Sequence, residues 1–251
     1  MASNTKYPTL LIKKKMNIKR HIPNSITCCN LISGCIAVFY GLTYNMDAAL
    51  LWIAIGAGFD FFDGMSARLL GVSSPIGKEL DSLADVVTFG VAPSTMVFSE
   101  LGVMPYPPCI DTMREYLPFV AFTIAAFSAL RLAKFNLDER QTTSFIGLPT
   151  PANALFWGAL LTGAGDVIEL STYMVPVILA GICITNWLLI AEIPMFALKF
   201  KQWGWKGNQI KYIFILSCIP LLAIFQLAAF SIIIAWYVIL SAILSKQDHK
   251  E

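Results

Sequence analysis

From about residue 25 onward, apolar stretches follow one another along the chain, separated by short polar or turn-forming segments. A helix needs about 20 mostly apolar residues to cross the hydrocarbon core of a bilayer. Stretches near 25–44, 48–70, 80–102, 116–136, 151–166, 173–195, 211–227 and 229–245 approach or reach that length. The last two belong to one apolar run, too long for one ordinary span, and Pro220 and Gln226 within it predict a tight helical hairpin. The pattern therefore predicts an all-α polytopic membrane protein, a bundle of about eight transmembrane helices. It divides into a juxtamembrane segment at 1–22, a six-helix core at 23–195, and a loop with a C-terminal helical pair at 196–251. No internal repeat or low-complexity tract is visible.

Composition agrees with this reading. Of 251 residues, 57% are hydrophobic and only 14% charged, against roughly 25% charged in soluble domains. A disordered chain, a basic nucleic-acid-binding module and an ordinary water-soluble enzyme are excluded, so no nucleic-acid partner is expected. The six cysteines show no CxxC or Cys/His ligand spacing, which argues against zinc.

The placement of charge says more than its sum. With the N-terminus in the cytoplasm, all 18 basic residues except Arg114 fall on the inner side, while Asp47, Glu100, Asp111, Glu115, Asp166 and Glu169 fall in the outer loops. That is the asymmetry of the positive-inside rule, and it supports an even number of spans with both termini cytoplasmic. The segment TLLIKKKMNIKRHI mixes apolar and cationic residues and is expected to lie as a basic amphipathic segment on the inner surface, against anionic lipid.

Charges inside spans are costly and mark function by default. Here they cluster. Residues 60–68 read DFFDGMSAR and 77–85 read GKELDSLAD. At the helical period, Asp60, Asp63, Gly64, Ala67 and Arg68 share one face, and Gly77, Asp81 and Asp85 form another stripe. Gly71 and Pro75 turn the chain between them, which predicts two antiparallel neighbouring helices whose four carboxylates converge just inside the cytoplasmic boundary. Four such charges in a low-dielectric site repel strongly. Divalent cations with oxygen ligands are the natural compensation. Asp60, Asp63 and Asp81, with substrate phosphate oxygens, suit one or two Mg²⁺ or Mn²⁺ ions. Gly64, Ala67 and Gly77 remove bulk from the same faces, letting a helix or a substrate approach.

Asp60, Asp63, Gly64, Ala67, Arg68, Gly77, Asp81 and Asp85 match D-x2-D-G-x2-A-R-x8-G-x3-D-x3-D at every fixed position. The chain thereby resembles the CDP-alcohol phosphatidyltransferase family. Residues 23–34, PNSITCCNLISG, are similar to that family's first-helix pattern P-N-x2-T-x2-N-x3-G, and LRLAKFN at 130–136 and FIGLPTPANA at 145–154 resemble its serine-using branch. The resemblance extends over residues 23–154; beyond it only hydropathy is similar.

The resemblance implies CDP-diacylglycerol as donor and L-serine as acceptor, in a homodimer of a bacterial cytoplasmic membrane. It implies Asp85 as the general base, with Asp60, Asp63 and Asp81 as metal ligands and Asp85 as a possible fourth. It further implies that Asp60, Gly64, Ala67 and Arg68 face the nucleotide half, with Asn24, Thr27 and Lys78 as added polar contacts to the donor. Serine needs its carboxylate recognised. Arg131 is the first candidate because a guanidinium offers a bidentate fork, and Lys134 and Asn136 are the next. Glycerol 3-phosphate or an inositol phosphate as acceptor, and a divalent-cation transporter, are the competing readings.

Overall fold

The structure is a computed structural model describing residues 21–137, 145–195, 204 and 208–248. The expected surface segment at 1–22 falls almost wholly outside these residues. The described chain is helical apart from one pair of two-residue strands. Its elements are α1 (His21–Leu42), α2 (Met46–Leu70), α3 (Pro75–Asp85), a π-helical segment (Val86–Val91), α4 (Ala92–Val103), α5 (Thr123–Leu137), α6 (Thr150–Glu169), α7 (Met174–Ile190), α8 (Gln209–Phe225) and α9 (Ala229–Asp248). The strands are β1 (Phe145–Ile146) and β2 (Pro194–Met195), paired antiparallel.

Helix boundaries follow from local chemistry. The side chain of Asn45 accepts from the amide of Ala48 and opens α2. Gly71 ends α2 in the left-handed region at φ 60°, returning its amide to the carbonyls of Ala67 and Arg68. Three residues later Ser74 accepts from the amide of Gly77 at 2.9 Å, and Pro75 takes the first helical position. The α2–α3 reversal is thus written into four consecutive kinds of residue: a glycine stop, a short link, a serine cap and a proline start.

Among the described residues, five segments are long and apolar enough to cross a membrane: His21–Leu42, Met46–Leu70, Pro75–Val103, Leu117–Leu137 and Gln209–Leu244. The third of these joins α3, the π segment and α4 into one rod. The sixth expected span, 173–195, is shorter than its hydropathy suggested. Its helix stops at Ile190, and Pro194–Met195 leave to pair with β1. Gly147, at φ 73°, permits this: a Cβ there would meet the carbonyls of Ala191 and Leu189 at 2.9 and 3.1 Å. The last apolar run does fold back on itself. Gln226 breaks it with φ 49°, and Phe214 and Tyr237, nearly equidistant from that break, meet with ring centroids 5.9 Å apart. The hairpin is fastened to α6, where Ser231 Oγ donates to the carbonyl of Phe156 at 2.7 Å and Gly163 admits the backbone of Ala228.

The core lies among α1, α2, the third rod and α6, with Ala37, Ile53, Phe89, Met96 and Trp157 fully buried. Glycines decide how closely α1 meets that rod. A Cβ on Gly34 would lie 2.9 Å from the backbone of Thr88, and one on Gly41 would lie 2.5 Å from Thr95 Oγ1. Close approach through small residues is how membrane helices gain packing without a hydrophobic drive between them. Two expectations need correction. Glu100 is not in an outer loop; it is buried in α4, where Tyr44 Oη donates to it at 2.9 Å. And α2 and α3, though they reverse direction, do not pack along one another; α1 packs against both and holds them apart. The small residues on their facing stripes line a gap instead of a seam.

Candidate active site

That gap is a cavity of about 230 Å³. It is lined by Pro23, Asn24 and Thr27 of α1, by Asp63, Gly64 and Ala67 of α2, by Val72, Ser73 and Ser74 of the link, and by Gly77, Lys78 and Asp81 of α3. Gly64 opens onto free space, since a Cβ there would meet nothing within 4 Å. Asn24 lies over Gly77, with Oδ1 3.1 Å from where a Cβ would sit.

Two acids of this lining, Asp63 and Asp81, meet a third, Asp60, that is not part of it. One carboxylate oxygen each of Asp60, Asp63 and Asp81 lies within 4.8 Å of the others. Asp63 is 6% exposed and accepts from Thr27 Oγ1 at 2.5 Å. Asp81 Oδ1 is buried without a hydrogen-bond partner among the described residues. An orphaned buried carboxylate oxygen is costly. Here it belongs to a set of three hard oxygen donors, the donor type that magnesium and manganese take. The residues therefore fit a divalent cation.

Asp85 stands one turn further along α3, at the start of the π segment, and is not in that group of three. It is 8% exposed, accepts from Asn30 Nδ2 at 3.2 Å, and lies within electrostatic reach of Asp60 and Asp81. Arg131 of α5 lies within electrostatic reach of Asp85. It too is 8% exposed, its Nε has no partner among the described residues, and its guanidinium lies 5.7 Å from the ring centroid of Phe135.

The remaining sequence candidates divide. Asn24, Thr27, Gly64, Ala67 and Lys78 line the cavity with Asp63 and Asp81. Arg68 is exposed and outside the lining. Lys78 sits at the rim and donates through Nζ to the carbonyl of Asn136 at 2.9 Å, while Asn136 Nδ2 donates to Ser82 Oγ at 2.7 Å. Asn136 is thereby engaged in joining α5 to α3, and Lys134 is exposed. Sequence reasoning did not single out Ser73 or Ser74, and it gave Asn30 only as a fixed position of the first-helix pattern, with no role. Ser74 was detectable as a cap before Pro75. Asn30 follows Asn24, Ser25 and Thr27 as the fourth polar residue of PNSITCCN, on the face of α1 that also carries Thr27.

Comparison with known proteins follows the same residues. Residues 20–180 match the family model described as CDP-alcohol phosphatidyltransferase. A CDP-diacylglycerol–serine O-phosphatidyltransferase of Bacillus subtilis (strain 168) is 40% identical over 178 residues, covering 69% of this chain and 88% of that protein. A protein of the same name from Mycobacterium leprae is 33% identical over 195 residues, 69% of this chain and 57% of that protein. One from Helicobacter pylori is 29% identical over 221 residues, 86% of this chain and 87% of that protein.

Proposed function

The chain belongs to the CDP-alcohol phosphatidyltransferase family, and from that premise we propose that it transfers the phosphatidyl group of CDP-diacylglycerol to the hydroxyl of L-serine, giving phosphatidylserine and CMP. The observation that carries this reading is the coincidence of a three-carboxylate group with a cavity lined by the signature residues of the family. The names of the similar proteins support serine as the acceptor.

In this reading Asp60, Asp63 and Asp81 hold one or two Mg²⁺ or Mn²⁺ ions. When bound, the metal supplies positive charge against the donor's diphosphate and the departing nucleotide. Thr27 orients Asp63 by its hydrogen bond. Asn24, Gly64, Ala67 and Lys78 receive the donor, the glycine and alanine by leaving room and the polar pair by contact. Arg68, at the exposed end of α2, meets the donor only at the rim. Arg131 takes the carboxylate of serine in its guanidinium fork, with Lys134 and Asn136 as outer members of that subsite.

Asp85 removes the proton of the serine hydroxyl as the serine oxygen forms its bond to the phosphatidyl phosphorus. The bond from that phosphorus to the bridging diphosphate oxygen breaks, CMP leaves with the electron pair, and the proton resides on Asp85 until it is released to solvent. A serine hydroxyl is a weak nucleophile, and a positioned base contributes on the order of 10²–10⁴ in rate.

The same reading makes the chain a bacterial cytoplasmic-membrane protein with about eight spans, cytoplasmic termini and a cytoplasmic-side site, working as a homodimer. Residues 1–22 form its surface segment, 23–195 the catalytic core and 196–251 the C-terminal pair. The test is incorporation of labelled serine into lipid by the purified protein. Product is expected only with added CDP-diacylglycerol; it is lost in EDTA and restored by Mg²⁺ or Mn²⁺. Full activity in chelator overturns the metal role. CMP release with glycerol 3-phosphate or an inositol phosphate, and none with serine, overturns the acceptor.

A further inference from the structure

Three of the four acids form one group; Asp85 is held by a different device. Asn30, on α1, is 0% exposed, and its Nδ2 donates to Asp85 Oδ1. Its own Oδ1 has no donor among the described residues. An unsatisfied buried amide oxygen is costly, so packing does not account for an amide here.

Asn30 is also anchored from behind. Its backbone carbonyl accepts from Thr88 Oγ1 at 3.1 Å, and Thr88 lies in the π segment that begins immediately after Asp85. Gly56 of α2 makes room for both: a Cβ there would lie 2.5 Å from Thr88 Cγ2 and 3.0 Å from Asn30 Oδ1. The contacts close a ring, from Asp85 through the side chain of Asn30 to its carbonyl, to Thr88, and back along the π segment. A single π turn inside an α-helix re-aims the residues around it and is frequent at functional sites.

We infer that Asn30 is a positioning residue for Asp85. A carboxylate acting as a base must present one oxygen to the incoming hydroxyl and keep it there. The neutral amide pins Oδ1 and leaves Oδ2 to take the acceptor's proton. An arginine at this position would engage both oxygens, and a hydrophobe would let the carboxylate rotate. The inference rests on the reading of Asp85 as the base and deepens it.

The test measures kcat, the KM for CDP-diacylglycerol and CMP binding by calorimetry in wild type, Asn30→Ala and Thr88→Val. Loss of positioning by about an ångström costs on the order of 10²-fold. Asn30→Ala is therefore expected to lower kcat by about 10- to 100-fold, with donor KM and CMP affinity within about threefold of wild type. Thr88→Val keeps the shape and removes the bond to Asn30; it is expected to lower kcat by a smaller factor, again without moving donor KM. Unchanged kcat in either variant overturns the inference, as does a rise in donor KM that accounts for the lost efficiency. If Asn30→Ala does not fold, Thr88→Val decides alone by the same criterion. A wild-type protein that makes no phosphatidylserine fails the functional reading itself, which separates the two outcomes.

Discussion

At the scale of single residues, the site is organised by which donor each carboxylate finds. Thr27 and Asn30 lie three apart on one face of α1, and each donates to a different acid, Asp63 and Asp85. The hydroxyl holds a member of the three-carboxylate group; the amide holds the acid outside it. The two acids accordingly have different parts, and Asp85→Asn separates them. That variant keeps the shape of Asp85 and removes its ability to accept a proton. It is expected to retain CMP and donor binding, measured by calorimetry, while kcat falls by about 10²-fold or more. Normal turnover removes Asp85 from the proton transfer.

At the scale of elements, the site exists because α2 and α3 are kept from closing on each other. Their facing residues are small or charged, and α1 supplies the packing surface for both. The position of the third rod against α1 is in turn set by Gly34 and Thr88. Gly34→Leu inserts four carbons where a single Cβ would already lie 2.9 Å from the Thr88 backbone. Overpacking of this kind costs roughly 1–3 kcal/mol. The variant is expected to unfold at lower temperature in detergent and to lose activity, because displacing Thr88 moves Asp85 with it. Unaltered thermal stability and activity contradict this account of the α1–rod contact.

At the scale of the whole molecule, orientation is the open physical consequence. In the proposed topology the turn after α4 faces outward and the acid-lined cavity inward. Cys109, exposed in that turn, offers a native reporter. A membrane-impermeant maleimide added to intact spheroplasts is expected to label the wild-type chain, and Cys109→Ser is expected to lose most of that label. Labelling of Cys109 only after the membrane is permeabilised reverses the assigned topology.

The acids, their faces and the turn between them were legible from residue spacing alone, because helical periodicity, a glycine stop and a proline start act over a few residues. The reversal at Gln226 was legible because the apolar run is too long for one span and carries a polar residue there, whereas Pro220, the other residue expected to break it, lies inside α8. Spacing did not reveal that α1 separates α2 from α3, that α7, the sixth expected span, ends five residues early to form a strand pair, or that Asp85 departs from the other three acids into the grip of Asn30. Those facts depend on contacts between segments distant in the chain: Asn30 meets Asp85 across 55 positions, and Thr88 fills space left by Gly34 and Gly56 on two other helices. Hydropathy reports which residues leave water, but only packing in three dimensions decides which of them meet.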